Sequence, residues 1–353
     1  MRKRQHRSSA TSRGRLVAKA LAGAWRRLPV AMPLSIEELE EIKSLLLETG
    51  SAALCWWRIR HSGLPNTEPL LKLQQAYRIH TIQAISHESI IKQAINCLRR
   101  VGVEPLLTKG WAVARLYPEL GLRPYVDIDL CVRPIEYQTA VAALAKSDLP
   151  TQLIDLHPGI PELDDRNLEQ LYYRSQQVRL DNLEIQVIGV EDHLRFLSLH
   201  LMRHGAWRPL WLCDIGILLE LQQDFDWEYC FSGNQWRSDL LAGTIGLAQL
   251  LLDAQPYEMP STIAKRIKLL PGWLTPAVLK QWGSVYLHRE PCIDYYLKHP
   301  REIFDGLRRR WPNPVEATVA RQASFNELPR LVFQLSEFGA RAVNLFTRKV
   351  SFL

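Results

Sequence analysis

Two aspartates separated by one residue are the strongest sign of chemistry in this sequence. Asp127 and Asp129 lie in the segment YVDIDLCV, whose apolar residues predict a buried strand over Ile128 to Val132. Because alternate side chains of a strand point to the same face, we expect both carboxylates on one face, about 7 Å apart at the backbone. Two such acids repel each other unless a cation lies between them. Mg²⁺ is the natural cation, since it binds carboxylate oxygens and substrate phosphates together.

A third acid and a glycine turn complete the predicted site. Asp155, in the apolar segment LIDLH, is expected on a neighbouring strand that directs it to the same place, and Glu184 is the next candidate if it is not. A pair of Mg²⁺ ions can stabilise the attacking and leaving oxygens in phosphoryl or nucleotidyl transfer. A glycine between a strand and a helix lets backbone N–H groups approach an anion. The predicted catalytic and metal-binding residues are Asp127, Asp129 and Asp155, and the predicted phosphate-binding residues are Lys109, Gly110 and Arg123.

The elements that must position these residues follow from the spacing of apolar side chains. Short apolar runs at residues 103–108, 128–132 and 151–156 alternate with helical patterns over 111–117 and 137–145, and a hairpin is expected over 178–188. Helical spacing extends over residues 35–100, which begin with a Ser35 and Glu38 capping box, and again from residue 192 onward. The prediction is an α+β protein, mostly helical overall, whose small mixed-sheet core has N- and C-terminal helical regions on either side.

The predicted organisation has four parts, and the first is defined by its charge. Residues 1–36 hold nine of the 44 basic residues and no acid, so 35 basic and 37 acidic residues remain in the rest of the chain. We predict a basic, disordered tail over residues 1–34, N-terminal helices over 35–100, an α/β core over 101–190 and a helical region over 191–353. A chain that begins at Met32 is then expected to fold unchanged. The alternative for the tail is an amphipathic helix on a membrane surface or an organelle-targeting segment, because RLVAKALAGAWRRL carries an apolar stripe beside basic residues.

Composition excludes several classes of protein. With 353 residues, 47% of them apolar, the chain is long enough for a full core and about two domains, and it is not disordered or collagen-like. No apolar stretch approaches the ~20 residues that a membrane span needs. The nearly neutral remainder lacks the basic surface that a nucleic-acid template demands. Six scattered cysteines without a C-x-x-C pair indicate reduced thiols and a cytoplasmic location, with no disulfide framework or zinc knuckle.

The order of these motifs resembles the nucleotidyltransferases of the DNA polymerase beta superfold, in which a glycine ends a strand and a helix, a D-x-D strand and a later strand acid follow. The likeness extends to a bacterial, mostly uncharacterised branch that reads LLKG, LYP and RP-x-x-DIDL-x-V. Those elements are matched here by Leu106 to Gly110, Leu116 to Pro118, Arg123 with Pro124, and Asp127 to Val132. Later segments of the branch are matched by Ile154 to His157, Asp192 to Leu194, His200 to His204, and Asp214.

The resemblance implies an activity. It is the Mg²⁺-dependent transfer of a nucleoside monophosphate from a nucleoside triphosphate to an unidentified small-molecule or protein acceptor, with release of pyrophosphate. Asp127 and Asp129 would hold the metal ions, and Asp155 would complete one site and help to deprotonate the acceptor hydroxyl. The alternative is a catalytically inactive binding or scaffold protein of the same fold. It arises because bulky Trp111 follows the glycine, where such enzymes usually have serine or a second small residue.

A histidine stripe on the helix around residues 191–205 has two interpretations. His193, His200 and His204 fall on one side of that helix, and the last two, four residues apart, could chelate a transition metal. We favour a structural role in which the imidazoles hydrogen-bond to buried acids such as Asp214. The resemblance places this helix beside the acceptor pocket, which makes Arg203 and Arg208 candidate contacts to phosphate or acceptor.

Overall fold

A five-stranded mixed sheet lies at the centre of the computed structural model, which describes residues 9–32, 34–60, 67–221, 224–285, 299 and 302–350. The strands are β1 (Leu106–Leu107), β2 (Ile128–Val132), β3 (Ile154–Pro158), β4 (Gln176–Leu180) and β5 (Leu183–Val187), in the order β3-β2-β1-β5-β4. β2 pairs with β3, and β1 with β5, in parallel; the β1–β2 and β4–β5 pairs are antiparallel. The mixed sheet and the hairpin, which turns at Asp181 with φ 53°, confirm the predicted fold class.

Helices make up most of the rest of the described chain. In chain order they are α1 (Ala10–Leu21), α2 (Ile36–Glu48), α3 (Ala52–Ile59), α4 (Glu68–Arg99), α5 (Trp111–Ala114), α6 (Tyr137–Ala145), α7 (Leu168–Tyr173), α8 (Val190–Arg203), α9 (Pro209–Leu221), α10 (Trp227–Phe231), α11 (Gln235–Leu252), α12 (Ser261–Ile267), α13 (Leu274–Trp282), α14 (Ile303–Arg310), α15 (Pro314–Ala320) and α16 (Leu331–Val350). The predicted capping box at Ser35 and Glu38 starts α2. Among these helices none is both long and apolar enough to cross a membrane.

The two faces of the sheet pack into different cores. Leu107, Ile128 and Leu130 point towards α4 and α6 and form one core cluster, which we call the α4 cluster. Leu106 and Cys131 point the other way, into a larger cluster built by α8, α9, α11 and neighbouring helices. Because β-strand side chains alternate, a residue between Ile128 and Leu130 must face the larger cluster.

The basic N-terminal segment forms a docked helix, and the prediction of a disordered tail over residues 1–34 is wrong for this part of it. Helix α1 buries Val17 and Leu21 against α13 and adjacent helices, and Trp25 follows them into the core. The Arg26 guanidinium pairs with Glu220 at 2.7 Å. The apolar stripe that could have faced a membrane is therefore covered by the protein itself, because later helices supply apolar and acidic partners for it.

The cysteines agree with the expectation of free thiols as far as they are described. Cys55, Cys97, Cys131, Cys213 and Cys230 form no disulfide. Cys292 lies outside the described residues. Three of the five described thiols, at Cys55, Cys213 and Cys230, are fully buried, and burial raises their pKa, which makes them unreactive core residues.

Candidate active site

The register of two parallel strands places two predicted acids side by side. Asp129 of β2 is directly opposite Asp155 of β3, and Cys131 is opposite His157 two residues further along. Paired residues in neighbouring strands point to the same face, so Asp129, Asp155 and His157 all lie on the face away from the α4 cluster. The structure thus brings together two of the three predicted carboxylates and adds a histidine.

Four side chains meet on this face. Lys109 Nζ lies 2.6 Å from Asp129 Oδ1. His157 Nε2 lies 3.0 Å from Asp155 Oδ2 and 4.0 Å from Asp129 Oδ1. One ligand atom each of Asp129, Asp155 and His157 falls within 4.8 Å of the other two, so this group could hold a metal ion.

His157 was missed as a site residue by the sequence prediction, although a signal for it was present. Asp155 and His157 are two residues apart, so on a strand they share a face. The same alternation pointed to Asp127 and Asp129, but in the segment LIDLH only the aspartate was selected. β3 is one of the two edge strands of the sheet, which leaves Asp155 with 49% of its side chain exposed and His157 with 36%. Both are accessible to a substrate.

Asp129 is a buried carboxylate whose charged form is stable only beside positive charge. Only 2% of the residue is exposed. Burial raises its pKa, the charges of Asp127 and Asp155 raise it further, and the Lys109 ammonium opposes the shift. A divalent cation beside the carboxylate would stabilise its charged form more than the single ammonium of Lys109 does. The mixture of carboxylate oxygens with one imidazole nitrogen therefore fits a divalent ion.

Asp127 stands apart from the group of three. It precedes β2, whose pairing with β3 begins at Ile128, and its side chain is exposed. It still acts on the site through its charge, since it raises the pKa of Asp129 and counteracts the lowering of the pKa of His87. The expected pair of carboxylates on one strand face is therefore divided into a buried acid and an acid at the rim, because the chain becomes a strand only after Asp127.

Gly110 occupies a position that a side chain would not tolerate. Its φ is +53°, and an added Cβ would lie 3.1 Å from the Asp127 carbonyl oxygen and 3.3 Å from the Tyr125 ring. The next residue, Trp111, is 5% exposed and packs in the α4 cluster, where its indole N–H donates to Glu88 at 2.8 Å. The indole is on the opposite side of the sheet from Asp129. Trp111 therefore does not fill the phosphate site. This removes the reason for expecting an inactive scaffold.

Arg123 does not occupy the phosphate-binding position expected of it. Its guanidinium forms a two-pronged ion pair with the fully buried carboxylate of Asp214, at 2.7 Å from Nη2 and 3.1 Å from Nε. The Tyr117 hydroxyl donates to the same carboxylate at 2.8 Å. Arg123 therefore connects the loop before β2 to α9, and Asp214 is already satisfied without a histidine, contrary to the role suggested for it beside His200 and His204.

We expect Arg123→Leu to lower the free energy of unfolding by about 3–5 kcal/mol, because it leaves the Asp214 carboxylate buried and unpaired. The double variant Arg123→Leu with Asp214→Leu should lose less, since no buried charge remains. Chemical denaturation of the parent, both single variants and the double variant measures this. A single variant of full stability that fails to bind nucleotide would instead assign Arg123 to the phosphates.

A row of aromatic side chains extends from the site along α8. Lys109 Nζ lies 5.6 Å from the centre of the Phe196 ring, and His200 is in edge contact with Trp211 at 4.5 Å and tilted against His204 at 4.6 Å. Burial and the nearby Lys109 charge lower the pKa of His200 to about 2, so the imidazole is neutral. The two histidines thus form a neutral aromatic wall. The acid–histidine group described above does not include them.

Known proteins offer one comparison. A family model described as an uncharacterised nucleotidyltransferase matches residues 37–152 and 150–252, which make up more than half of the chain. The matched residues contain the entire sheet and all of the side chains described in this site. No curated protein and no solved structure matches the chain.

Proposed function

Because the chain belongs to this family of uncharacterised nucleotidyltransferases, we propose that it transfers a nucleoside monophosphate from a nucleoside triphosphate to an acceptor in a Mg²⁺-dependent reaction. The observation that carries the proposal is the meeting of Asp129, Asp155 and His157 with Lys109 on one face of the sheet. A buried acid beside an accessible one, next to a glycine turn, suits a polyphosphate with its cation.

Each residue of the site has a distinct part in the proposed mechanism. Asp129, Asp155 and His157 would hold the divalent ion, with Asp127 adding negative charge at the rim. The bound ion would neutralise phosphate charge and stabilise the negative charge that develops in the transition state. Lys109, which pairs with Asp129 in the structure, would then turn to a phosphate oxygen, since its side chain is 23% exposed and flexible.

Proton transfer is assigned to the accessible acid. An acceptor hydroxyl attacks the α-phosphorus, the bond from that phosphorus to the β-phosphate oxygen breaks, and pyrophosphate leaves. The proton of the hydroxyl goes to the carboxylate of Asp155, which lies on the edge strand within reach of a substrate. His157 Nε2, 3.0 Å from that carboxylate in the structure, would bind the ion beside it. Positioning and charge neutralisation supply most of the catalysis, because phosphoryl chemistry needs no covalent help from the protein.

The chemistry of the chain also bears on its surroundings. Outside residues 1–36 the charges nearly balance, which favours a small-molecule or protein acceptor over a template nucleic acid. The five described cysteines are free, which supports a reducing compartment such as the cytoplasm.

Label transfer tests the proposal. The full chain is incubated with Mg²⁺, a cell extract as the source of acceptor and each of the four ribonucleoside triphosphates labelled at the α-phosphate. We expect one or more of them to label an acceptor with release of pyrophosphate, and EDTA to abolish the transfer. Asp155→Asn should abolish it as well, whereas Glu184→Gln, an exposed acid on β5, should retain it. Absence of transfer with all four nucleotides would contradict the proposed function.

A further inference from the structure

A second arginine near the site lacks the acidic partner that Arg123 has. Arg208 precedes α9, and its Nε donates to the Thr49 carbonyl oxygen at 2.8 Å. Among the residues that the structure describes, no carboxylate oxygen lies within 4.0 Å of its guanidinium, whereas Arg203, the other candidate named from the sequence, pairs with Glu162 at 3.1 Å. Burial lowers the pKa of Arg208 to about 10, so the side chain remains charged at neutral pH.

The surroundings of Arg208 hold its guanidinium in one place. Gly50 has φ +72°, and a Cβ there would lie 2.7 Å from Nη2 and 3.2 Å from a ring carbon of Pro124. The flat ring of Trp211 lies 5.5 Å from the guanidinium carbon. The slot therefore depends on a glycine, and the orientation is fixed by a carbonyl oxygen. The half-buried guanidinium is thus held in place without contact to any carboxylate of the described residues, which leaves it available to an anion from outside the chain.

The rim of the candidate active site lies next to Arg208. A Cβ on Gly50 would meet both the Arg208 guanidinium and Pro124, in the loop that leads to Asp127, whose carbonyl oxygen is packed against Gly110. The charges of Asp214 and Asp127 partly offset the lowering of the pKa of Arg208. Arg208 thus stands at the end of the site marked by Asp127 and Gly110, while Lys109 stands beside Asp129. A polyphosphate carries several anionic groups in a chain, which suits a site with a cation at each end.

We propose that Arg208 binds the β- and γ-phosphates of the nucleoside triphosphate, the part that leaves as pyrophosphate. This inference rests on the proposed function and names which end of the substrate this part of the site recognises. A planar guanidinium can bind two phosphate oxygens at once, which an ammonium cannot. Arg208 would therefore distinguish a triphosphate from a monophosphate, and it would stabilise the charge that develops on the leaving group.

Binding of inorganic pyrophosphate tests the inference without knowledge of the base or the acceptor. Calorimetry in the presence of Mg²⁺ compares the full-length parent with Arg208→Gln, Arg208→Lys and the control Arg99→Gln, whose arginine forms a surface pair with Glu104. We expect Arg208→Gln to weaken pyrophosphate binding about tenfold to a hundredfold. Arg208→Lys should restore part of the affinity, and Arg99→Gln should bind as the parent does.

The possible outcomes separate this inference from the proposed function. If Arg208→Gln binds pyrophosphate as tightly as the parent, the assignment of Arg208 is wrong, while label transfer still decides the function. If the parent transfers no label but pyrophosphate binding depends on Arg208, the anion site stands and the proposed function fails. Should Arg208→Gln not fold, as judged by its thermal unfolding, Arg208→Lys decides. A several-fold loss of affinity supports the inference, and an unchanged affinity contradicts it.

Discussion

Replacing Asp127 and Asp129 together by asparagine is expected to lower the rate of nucleotidyl transfer by at least about a thousandfold. The amides nearly preserve shape but remove the negative charge that recruits the divalent ion, and such an ion supplies several kcal/mol of transition-state stabilisation. About 4 kcal/mol corresponds to a thousandfold in rate. The initial rate of transfer of the α-phosphate label, at saturating nucleotide, measures the loss. A double variant with a tenth of the parental rate or more would show that the negative charge of these two acids does not recruit the ion.

The same pair of proteins allows nucleotide binding to be measured independently of turnover. Burial raises the pKa of Asp129, and an acid whose pKa is higher in the folded than in the unfolded state destabilises the fold once the pH exceeds the unfolded value. At neutral pH the uncharged amide should therefore leave the ligand-free variant as stable as the parent, or slightly more so. The stability lost with the Lys109 pair is small, because that side chain is partly exposed and can be hydrated.

Mg²⁺ and nucleoside triphosphate together should stabilise only the parent. At a hundredfold excess over Kd the gain is about 2.7 kcal/mol, which a thermal shift detects. If the parent shows no shift with any of the four ribonucleoside triphosphates, the inactive scaffold becomes the better description. Equal shifts in both proteins would mean that the nucleotide binds away from Asp127 and Asp129.

A chain that begins at Met32 is expected to melt at least about 10 °C below the full chain or to lose its cooperative transition. It lacks α1 and the buried side chains of Val17, Leu21 and Trp25, each of which contributes ~1.5–3 kcal/mol when buried. It also lacks the pair between Arg26 and Glu220. Together these losses are comparable with the whole stability of a typical domain, about 5–15 kcal/mol. Circular dichroism during heating measures the change, and an unchanged transition would show that α1 does not dock in solution.

Gly14 and Gly243 provide a matched test of the contact between α1 and α13, because only the first of them lies in that contact. A Cβ on Gly14 of α1 would lie 1.9 Å from the carbonyl oxygen of Leu279, so the backbones of α1 and α13 are in direct contact there. A Cβ on Gly243 of α11 would meet only a side-chain methyl of Leu274, at 3.7 Å. We expect Gly14→Ala to lower the melting temperature. Gly243→Ala should raise it slightly, since alanine favours a helix over glycine by up to about 1 kcal/mol.

The sheet could be predicted from the sequence because its signals are local. Ile128–Val132 is a run of five buried residues bounded by polar ones, and the turn at Asp181 and Asn182 separates two short alternating runs. The packing of α13 against α1 could not be predicted in this way. Its apolar stripe is visible in the sequence, but α13, which covers it, begins more than 250 residues later, and nothing in the spacing of either helix identifies the other.

The candidate site shows the same limit. That Asp129 and Asp155 share a face depends on strand register, which alternation within each strand suggests but does not fix. Asp127 lies at the rim because the pairing of β2 with β3 begins one residue later, at Ile128. Spacing in the sequence does not fix the first residue of a strand this closely. The ion pair of Arg123 with Asp214 joins positions 91 residues apart, and in the sequence Arg123 and Arg208 look alike. Only the folded chain shows which of the two already has a counter-charge.

The contact between α1 and α13 also has a consequence for biosynthesis. The Arg13 side chain donates to the carbonyl oxygen of Gly283, 270 positions later. At ~5–20 residues per second, a ribosome needs about 14–54 s to make the intervening chain. During that time a basic, amphipathic helix is exposed on the nascent chain without its partner. Until α13 has left the ribosome, the apolar side of α1 has to be covered by another molecule, such as a chaperone, and the part of the core that joins the two helices cannot form.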